Sequence, residues 1–146
     1  MRTLTLTLCL LSLSTLTGYA QTTTPLAVSK EAITRLEDLK EITKSVAVTK
    51  ATKGKVQAEA RPEVNRLLVL STDEFVRISV NKPTKEAYMQ CMEQGLARLA
   101  PLSAEAQDRT DIADFYQDLL DIVGLPSSEG RLTAFAVVPT ASTTAK

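Results

Sequence analysis

The stretch GLPSSEGRL, residues 124–132, brings together the side chains best suited to chemistry in this sequence. Ser127 and Ser128 are candidate nucleophiles, and Glu129 and Arg131 carry opposite charges beside them. A nucleophilic serine needs an activating base, and no lysine or carboxylate stands at a diagnostic spacing from either serine. A phosphate-binding loop would have more glycines and a lysine at the following helix start. We therefore favour a structural turn, with a ligand-contacting loop as the next alternative and catalysis as the last.

The same stretch contains the signals that end a helix. Gly124 follows the last residue of an apolar helical pattern, and Pro126 prevents the helix from resuming. Leu125 is then placed to contact Leu120 one turn earlier. Gly130 can supply a positive φ, and either serine can accept a hydrogen bond from a nearby backbone N–H. The sequence predicts a Schellman-type stop at Gly124 followed by a tight turn.

Four aspartates precede this turn at spacings of 3, 4 and 3: Asp111, Asp114, Asp118 and Asp121. At about 100° per residue they fall within about 80° of arc on one helix face. We favour a solvated face. The alternatives are a docking surface for the basic segment 40–61 of the same chain, and a site for a divalent cation or a basic partner. A single helix spreads its carboxylates along its axis, so that at most two can bind one ion.

These two features supply all the candidate binding residues, and we assign no catalytic residue, metal ligand or cofactor. The candidates are Asp111, Asp114, Asp118, Asp121, Ser127, Ser128, Glu129 and Arg131.

Composition excludes several classes of site. The chain has no histidine, which removes the usual general base and the commonest metal ligand. It has no tryptophan and few other aromatic residues, which argues against base or sugar stacking. With 17 basic and 17 acidic residues, it has no bulk attraction for nucleic acid or an anionic membrane, and we expect no nucleic-acid partner.

The first 20 residues have the layout of a secretory signal peptide. Arg2 precedes an uncharged run of Leu, Thr and Ser, and Gly18-Tyr19-Ala20 offers small residues for cleavage after Ala20. The run is too short and polar for a membrane span, which needs about 20 apolar residues. An uncleaved interfacial anchor is the alternative. We expect an exported protein, periplasmic or secreted, with no integral membrane segment after cleavage.

Cleavage would also remove one of the two cysteines. Cys91 would then have no partner for an intramolecular disulfide, and its apolar neighbours indicate a small buried side chain. The mature chain is divided into a flexible lead-in over 21–28, a single helical domain over 29–138 and a flexible tail over 139–146.

Apolar residues recur at helical spacing in two windows of the first half of this domain. A helix is predicted over 30–46, with Ser29 as its N-cap, and the basic stretch 48–60 is predicted to be a loose link or a frayed helix. The second window, 62–80, also contains FVRISVN, which alternates as a strand does. We prefer the helix because the longer run fits a 3.6-residue period.

The second half predicts two more helices. One begins after Thr84 as N-cap and ends at Pro101; the other begins at Ser103 or Asp108. The fourth helix has an apolar seam formed by Ile112, Phe115, Tyr116, Leu119 and Val123. The fold class is therefore all-α, a small bundle of three to four helices. The short apolar segment RLTAFAVV either covers the end of the bundle or pairs with FVRISV if that window is a strand.

Two stretches carry a family resemblance: NKPTKEAYMQCMEQGLARL and DLLDIVGLPSSEGRL. They resemble a family of small uncharacterised bacterial domains that have a Pro-Thr-Lys-Glu helix start and end in a G-L-x-S-S-x-G-R-L motif. The resemblance covers about residues 60–135 and departs at Pro126 and in SAEAQDRTD. It implies a shared fold and no activity. Its motif positions here are Gly124, Ser127, Ser128, Gly130, Arg131 and Leu132.

The function that these features favour is a non-enzymatic exported module that binds a protein or other envelope component, for example as an immunity protein or an inhibitor. The binding surface would be the aspartate row or the turn at 124–132. The alternative is a hydrolase that uses a Ser-carboxylate or Ser-Lys arrangement without histidine. A purely structural role is the third hypothesis.

Overall fold

The structure, a computed structural model, describes residues 24–45 and 61–137. The described chain forms five α-helices and one 3₁₀ turn: α1 Lys30–Ser45, α2 Arg61–Asn81, α3 Lys85–Leu99, the 3₁₀ turn Ala100–Leu102, α4 Ala106–Ile122 and α5 Arg131–Ala136. These ranges contain no β-strand, and the predicted all-α class is confirmed. The predicted signal peptide, the link over 48–60 and the tail over 139–146 lie outside the described residues.

Side chains set the first turns of two helices as predicted. The Ser29 hydroxyl accepts a hydrogen bond from the Ala32 N–H at 3.1 Å, and the Thr84 hydroxyl accepts one from the Ala87 N–H at 3.2 Å. Both residues satisfy backbone donors that a helix start leaves unpaired.

The predicted start of α4 was wrong. The helix begins at Ala106, and its N-cap Glu105 makes no side-chain capping bond. The Ser103 hydroxyl instead donates to the Leu99 carbonyl at 3.0 Å and so belongs to the 3₁₀ turn. Asp108 lies inside the first turn of α4 and is buried. Both residues have the right chemistry for a cap, but local backbone and burial compete for them.

The window that allowed either a helix or a strand belongs entirely to α2. Val64, Leu67, Ser71 and Phe75 are buried at helical spacing, so the helix is confirmed and the strand alternative is wrong. RLTAFAVV consequently has no strand to pair with. Its first six residues form α5, which packs on α4 and covers this end of the bundle with Leu132 buried.

All four long helices contribute to one hydrophobic core. Leu36, Phe75, Met92 and Leu119, one from each helix, are completely buried at its centre. The predicted apolar seam of α4 faces this core, although Phe115 is only half-buried and contacts it from the edge. Helix α2 packs on both α1 and α3, whereas α4 packs mainly on α5 and contacts both α1 and α3.

A buried hydroxyl pair joins α2 to α4. Ser71 Oγ and Tyr116 Oη are 2.6 Å apart, and Ser71 also donates to the Leu67 carbonyl at 3.0 Å. Since serine has one hydroxyl proton, Tyr116 is the donor of the pair. A Cβ on Gly95 of α3 would lie 1.8 Å from Tyr116 Oη and 2.9 Å from Ser71 Oγ. The junction of the three helices therefore has room only for glycine at position 95.

A second hydroxyl pair repeats this arrangement between α2 and α3. Ser79 Oγ lies 2.7 Å from Tyr88 Oη and donates to the Phe75 carbonyl at 2.8 Å. The Phe75 and Tyr88 rings pack at a centroid distance of 5.1 Å. Each tyrosine thus buries its ring in the core while its hydroxyl is satisfied by a serine.

The segment before α1 contacts the connection between α2 and α3. The Leu26 N–H donates to the Pro83 carbonyl at 2.6 Å, and Pro25 forms an isolated bridge with Thr84. Leu26 and Val28 pack against the core. These contacts fall in 24–28, within the predicted flexible lead-in, whereas 21–23 lie outside the described residues.

Candidate functional site

The helix stop that precedes the serines has the predicted geometry. Gly124 has φ +81°, the Leu125 N–H donates to the Leu120 carbonyl at 2.8 Å, and the Gly124 N–H donates to the Asp121 carbonyl at 3.1 Å. These two bonds define a Schellman motif, and both leucines are buried beneath it. The prediction is confirmed, and the chain leaves α4 in a fixed direction.

The following residues reverse the chain into α5, and we call residues 124–130 the motif turn. Ser127 is exposed, and its hydroxyl accepts a hydrogen bond from the Glu129 N–H at 3.2 Å. Glu129 and Gly130 have φ values of +55° and +81°, so two successive residues adopt the left-handed region. The Arg131 N–H then donates to the Ser128 carbonyl at 3.1 Å. Backbone conformation fixes this turn, which leaves the Ser128 hydroxyl outside its hydrogen bonds.

A cleft of about 300 Å³ opens between α4 and α5. Its lining consists of Thr110, Ala113, Asp114, Gln117, Ser128, Leu132, Thr133 and Ala136. Ser128 is only 8% exposed, and its hydroxyl has no hydrogen-bond partner among the described residues. The α4–α5 cleft thus brings together one residue from each predicted site, Asp114 from the aspartate row and Ser128 from the motif turn.

Three of the four aspartates form an exposed surface that we call the acidic face: Asp114, Asp118 and Asp121. None of them forms an ion pair with a lysine or arginine of the described chain. Asp121 accepts a hydrogen bond from the Gln117 amide at 2.8 Å. Burial first, and then the charges of Asp121 and Asp114, raise the pKa of the Asp118 carboxyl above its ordinary value. The face is therefore negative and locally self-repelling.

Asp111 differs from the other three aspartates because it is half-buried. One of its carboxylate oxygens accepts a hydrogen bond from the Gln107 amide at 2.8 Å, and the other has no hydrogen-bond partner among the described residues. Asp111 does not line the α4–α5 cleft. The predicted row of four is thus an exposed group of three and one separate residue.

The described part of the basic segment pairs with other acids. Lys40 contacts Asp73 of α2 at 3.0 Å, and Lys44 contacts Glu41 of its own helix at 2.8 Å. Residues 46–60, which contain the three remaining lysines of this segment, Lys50, Lys53 and Lys55, lie outside the described chain. Docking of that segment on the acidic face stays a prediction.

Glu129 and Arg131 face the opposite side of the motif turn, against α3. The Glu129 carboxylate accepts hydrogen bonds from Lys85 and from Arg131, and Arg131 also donates to Glu93. The Arg131 hydrogen bond, and then that from Lys85, lower the pKa of Glu129 to about 2. These four residues line a second cleft of about 330 Å³, the α3–turn cleft. Because exposed ion pairs contribute little free energy, their main effect is to hold the turn against α3.

Lys85 and Glu93 were not among the site residues predicted from the sequence. Lys85 does stand in the Pro-Thr-Lys-Glu motif quoted for the family resemblance, so one signal was present. Its partner Glu129 lies 44 residues away, however, and only the fold brings the two motifs together.

Arg109 is a further residue that no sequence pattern marked. Its guanidinium donates to the Ser103 carbonyl at 3.0 Å and to the Phe135 carbonyl at 3.2 Å, and it lies 5.1 Å from the centroid of the Phe135 ring. A third, longer bond of 3.5 Å joins it to the Ala100 carbonyl. This clamp holds α5 against the start of α4 and so maintains one wall of the α4–α5 cleft.

Cys91 has the environment expected of a buried residue. Its thiol donates to Glu74 at 3.3 Å, and Glu74 in turn lies 3.6 Å from Arg98. Burial, and then the hydrogen bond to Glu74, raise the pKa of the Cys91 thiol to about 12. The thiol is therefore protonated and unreactive at neutral pH.

Two further features are absent from residues 24–45 and 61–137. No helix among them is both long and apolar enough to cross a membrane. Within the same residues, no three histidine, cysteine or acidic side chains are grouped so that they could hold a metal ion.

Comparison with known proteins identifies the family. The family model described as "Domain of unknown function (DUF4844)" matches residues 27–138, and the chain belongs to this family. No curated protein and no solved structure matches the chain. The predicted membership of an uncharacterised domain family is thereby confirmed, and the match includes all five helices. The bacterial origin and the motif given with the resemblance stay predictions.

Proposed function

We propose that this protein is an exported, non-enzymatic module that binds a basic surface of a protein partner through the acidic face of α4, in the manner of an immunity protein or an inhibitor. One observation carries the proposal. Asp114, Asp118 and Asp121 are exposed and have no cationic partner in the described chain, and Asp114 lines a concave surface. The signal-peptide pattern of residues 1–20 supports the exported location.

Electrostatics explains why such a face favours a basic partner. Aspartates three and four residues apart on a helix repel one another by a few tenths of a kcal/mol per pair. Partial burial first, and then this repulsion, raise the pKa of the Asp118 carboxyl. A basic partner would relieve the repulsion, and complementary charge accelerates association and discourages neutral or acidic competitors. Exposed charges are screened by salt, so binding should weaken as ionic strength rises.

Charge reversal tests the proposal. The purified protein is immobilised, and proteins that it captures from the envelope fraction of its source organism are quantified by mass spectrometry. We expect at least one basic protein to be retained by the wild type and reduced at least tenfold in the Asp114→Lys/Asp118→Lys variant.

The matched control is Glu37→Lys/Asp38→Lys, which makes the same change of charge at exposed positions of α1. This variant should retain the partner, and both variants should keep the helical circular dichroism of the wild type. A captured set that is the same for the wild type and both variants would contradict the proposal.

The hydrolase alternative also has one observation in its favour, because Ser128 and Asp114 line the same cleft. Two facts weigh against it. Ser128 Oγ has no hydrogen bond to a base within the described chain, and no lysine is among the residues that line the cleft. If the alternative holds, a panel of ester and amide substrates should reveal turnover that Ser128→Ala abolishes.

A further inference from the structure

The hydrogen-bonding groups of the α4–α5 cleft limit the class of ligand that the cleft can bind. Both N–H groups of the Gln117 amide are used, one by Asp121 at 2.8 Å and one by the Pro126 carbonyl at 3.2 Å. The side chain can therefore offer a ligand only its carbonyl oxygen. The Thr110 hydroxyl similarly donates its proton to the Ala106 carbonyl at 3.0 Å. It can therefore offer a ligand only the lone pairs of its oxygen.

Two further polar residues of the cleft add acceptor oxygens, Asp114 a carboxylate and Ser128 a hydroxyl. Asp114 adds a carboxylate that has no cationic partner in the described residues. Ser128 is 8% exposed and has an unpartnered hydroxyl within the same residues. The Ser128 hydroxyl is therefore available to a ligand in the cleft, as an acceptor or as a donor. Apolar walls from Ala113, Leu132 and Ala136, together with Thr133, complete the lining.

We infer that the α4–α5 cleft receives one lysine or arginine side chain of the partner. The charged end, which carries only donors, pairs with Asp114 and is surrounded by the acceptor oxygens of Ser128, Gln117 and Thr110. The methylene stem lies along the apolar walls, as the stems of basic residues commonly do. This inference rests on the proposed function. In it, the cleft binds one basic side chain of the partner as an anchor, and the rest of the acidic face attracts the surrounding basic surface.

Model compounds test the anchor without the partner. Nα-acetyl-arginine methylamide and Nα-acetyl-lysine methylamide are titrated into ¹⁵N-labelled protein and followed by NMR. The neutral isostere Nα-acetyl-citrulline methylamide serves as the control probe. We expect saturable shifts at the amides of Ala113, Ser128 and Thr133, with at least tenfold weaker binding of the citrulline compound.

Two variants localise the effect. Asp114→Asn should weaken binding of the arginine compound at least fivefold. Glu105→Gln removes one charge from the exposed N-cap of the same helix, where the side chain makes no capping bond, and should leave the affinity unchanged. Equal binding of arginine and citrulline compounds, shifts centred away from the cleft or equal losses in both variants would overturn the inference.

The two proposals can fail separately. If Asp114→Lys/Asp118→Lys abolishes capture of an envelope protein while the wild-type cleft binds neither basic compound, the anchor is wrong and the proposed function stands. If the basic compounds bind at the cleft but no envelope protein depends on the acidic face, the anchor chemistry is supported and the proposed function is wrong.

Discussion

Two glycines stand in regions of the molecule that are organised in opposite ways. Gly95 lies at the α2–α3–α4 junction, where a Cβ would overlap the Tyr116 hydroxyl. Gly124 ends α4 with φ +81°, and a Cβ there would meet nothing within 4 Å. The junction is therefore determined by space between side chains, whereas the motif turn is determined by backbone conformation.

This difference bears on where a function can reside. At the junction, Tyr116 donates to Ser71 and Ser71 donates to the Leu67 carbonyl, so neither buried hydroxyl has a proton left for a ligand. In the motif turn, backbone hydrogen bonds and left-handed residues maintain the shape without using the Ser128 hydroxyl. Side chains held in place by such a scaffold are available to contact other molecules.

The largest expected effect is that of Gly95→Ala. Since the new methyl group would lie 1.8 Å from Tyr116 Oη, the tyrosine must move out of a packed core. Overpacking of this kind costs about 3 kcal/mol of unfolding free energy. Urea denaturation monitored by circular dichroism measures the loss.

The second substitution Tyr116→Phe provides the control, because it removes the atom closest to the new methyl group. Alone it should cost about 1 kcal/mol for the lost hydrogen bond to Ser71. Combined with Gly95→Ala it should cost clearly less than the sum of the two single variants. Additive losses would show that the contact between positions 95 and 116 is not what requires glycine.

A smaller effect is expected for Gly124→Ala. The substitution has space but places an L-residue in the left-handed region, at a cost of roughly 1 kcal/mol. Gly124→Asn should cost less, since asparagine tolerates this conformation better. A loss for Gly124→Ala as large as that for Gly95→Ala, measured in the same urea titrations, would remove the distinction between the two regions.

The smallest effect concerns Glu129 and depends on pH. Its pKa is lowered from 4.5 to about 2, so its ion pairs stabilise the fold above about pH 4.5 and are lost as the pH falls toward 2. Glu129→Gln should therefore narrow the stability difference between neutral and acid pH. Thermal unfolding between pH 7 and pH 2 tests this expectation.

A double-mutant comparison isolates the contact with Lys85. In the Glu129→Gln background, Lys85→Met should change stability less than it does in the wild type, because the carboxylate that it pairs with is absent. An equal change in both backgrounds would mean that the Lys85–Glu129 pair does not hold the turn.

The features that the sequence predicted correctly are local. The stop at Gly124 depends on neighbouring residues that all lie within one turn of the helix end. The helix over 62–80 was preferred to a strand because its apolar residues kept a 3.6-residue period over about four turns, and the structure confirms α2 there. Thr84 was recognisable as an N-cap because its hydrogen bond spans only three residues.

The features that the sequence missed depend on distant contacts. Ser71 and Tyr116 are 45 residues apart, so the sequence around either residue could not indicate that they form a pair. The requirement for glycine at position 95 follows only from the position of this pair. The α5 helix has six residues, which is too short for its period to distinguish it from a strand. The aspartate row and the motif turn were likewise predicted as two separate features. Asp114 and Ser128 line one cleft only because the motif turn reverses the chain.

The Arg109 clamp has a consequence for the order of events during biosynthesis. Arg109 contacts a carbonyl 26 residues later in the chain, and the ribosome makes the N-terminal partner first. Residues of all four long helices are therefore synthesised before Phe135 completes the clamp. A nascent polypeptide that stops short of Phe135 carries the aspartates but lacks the complete α5 helix. The α4–α5 cleft can therefore form only after Phe135 has been translated.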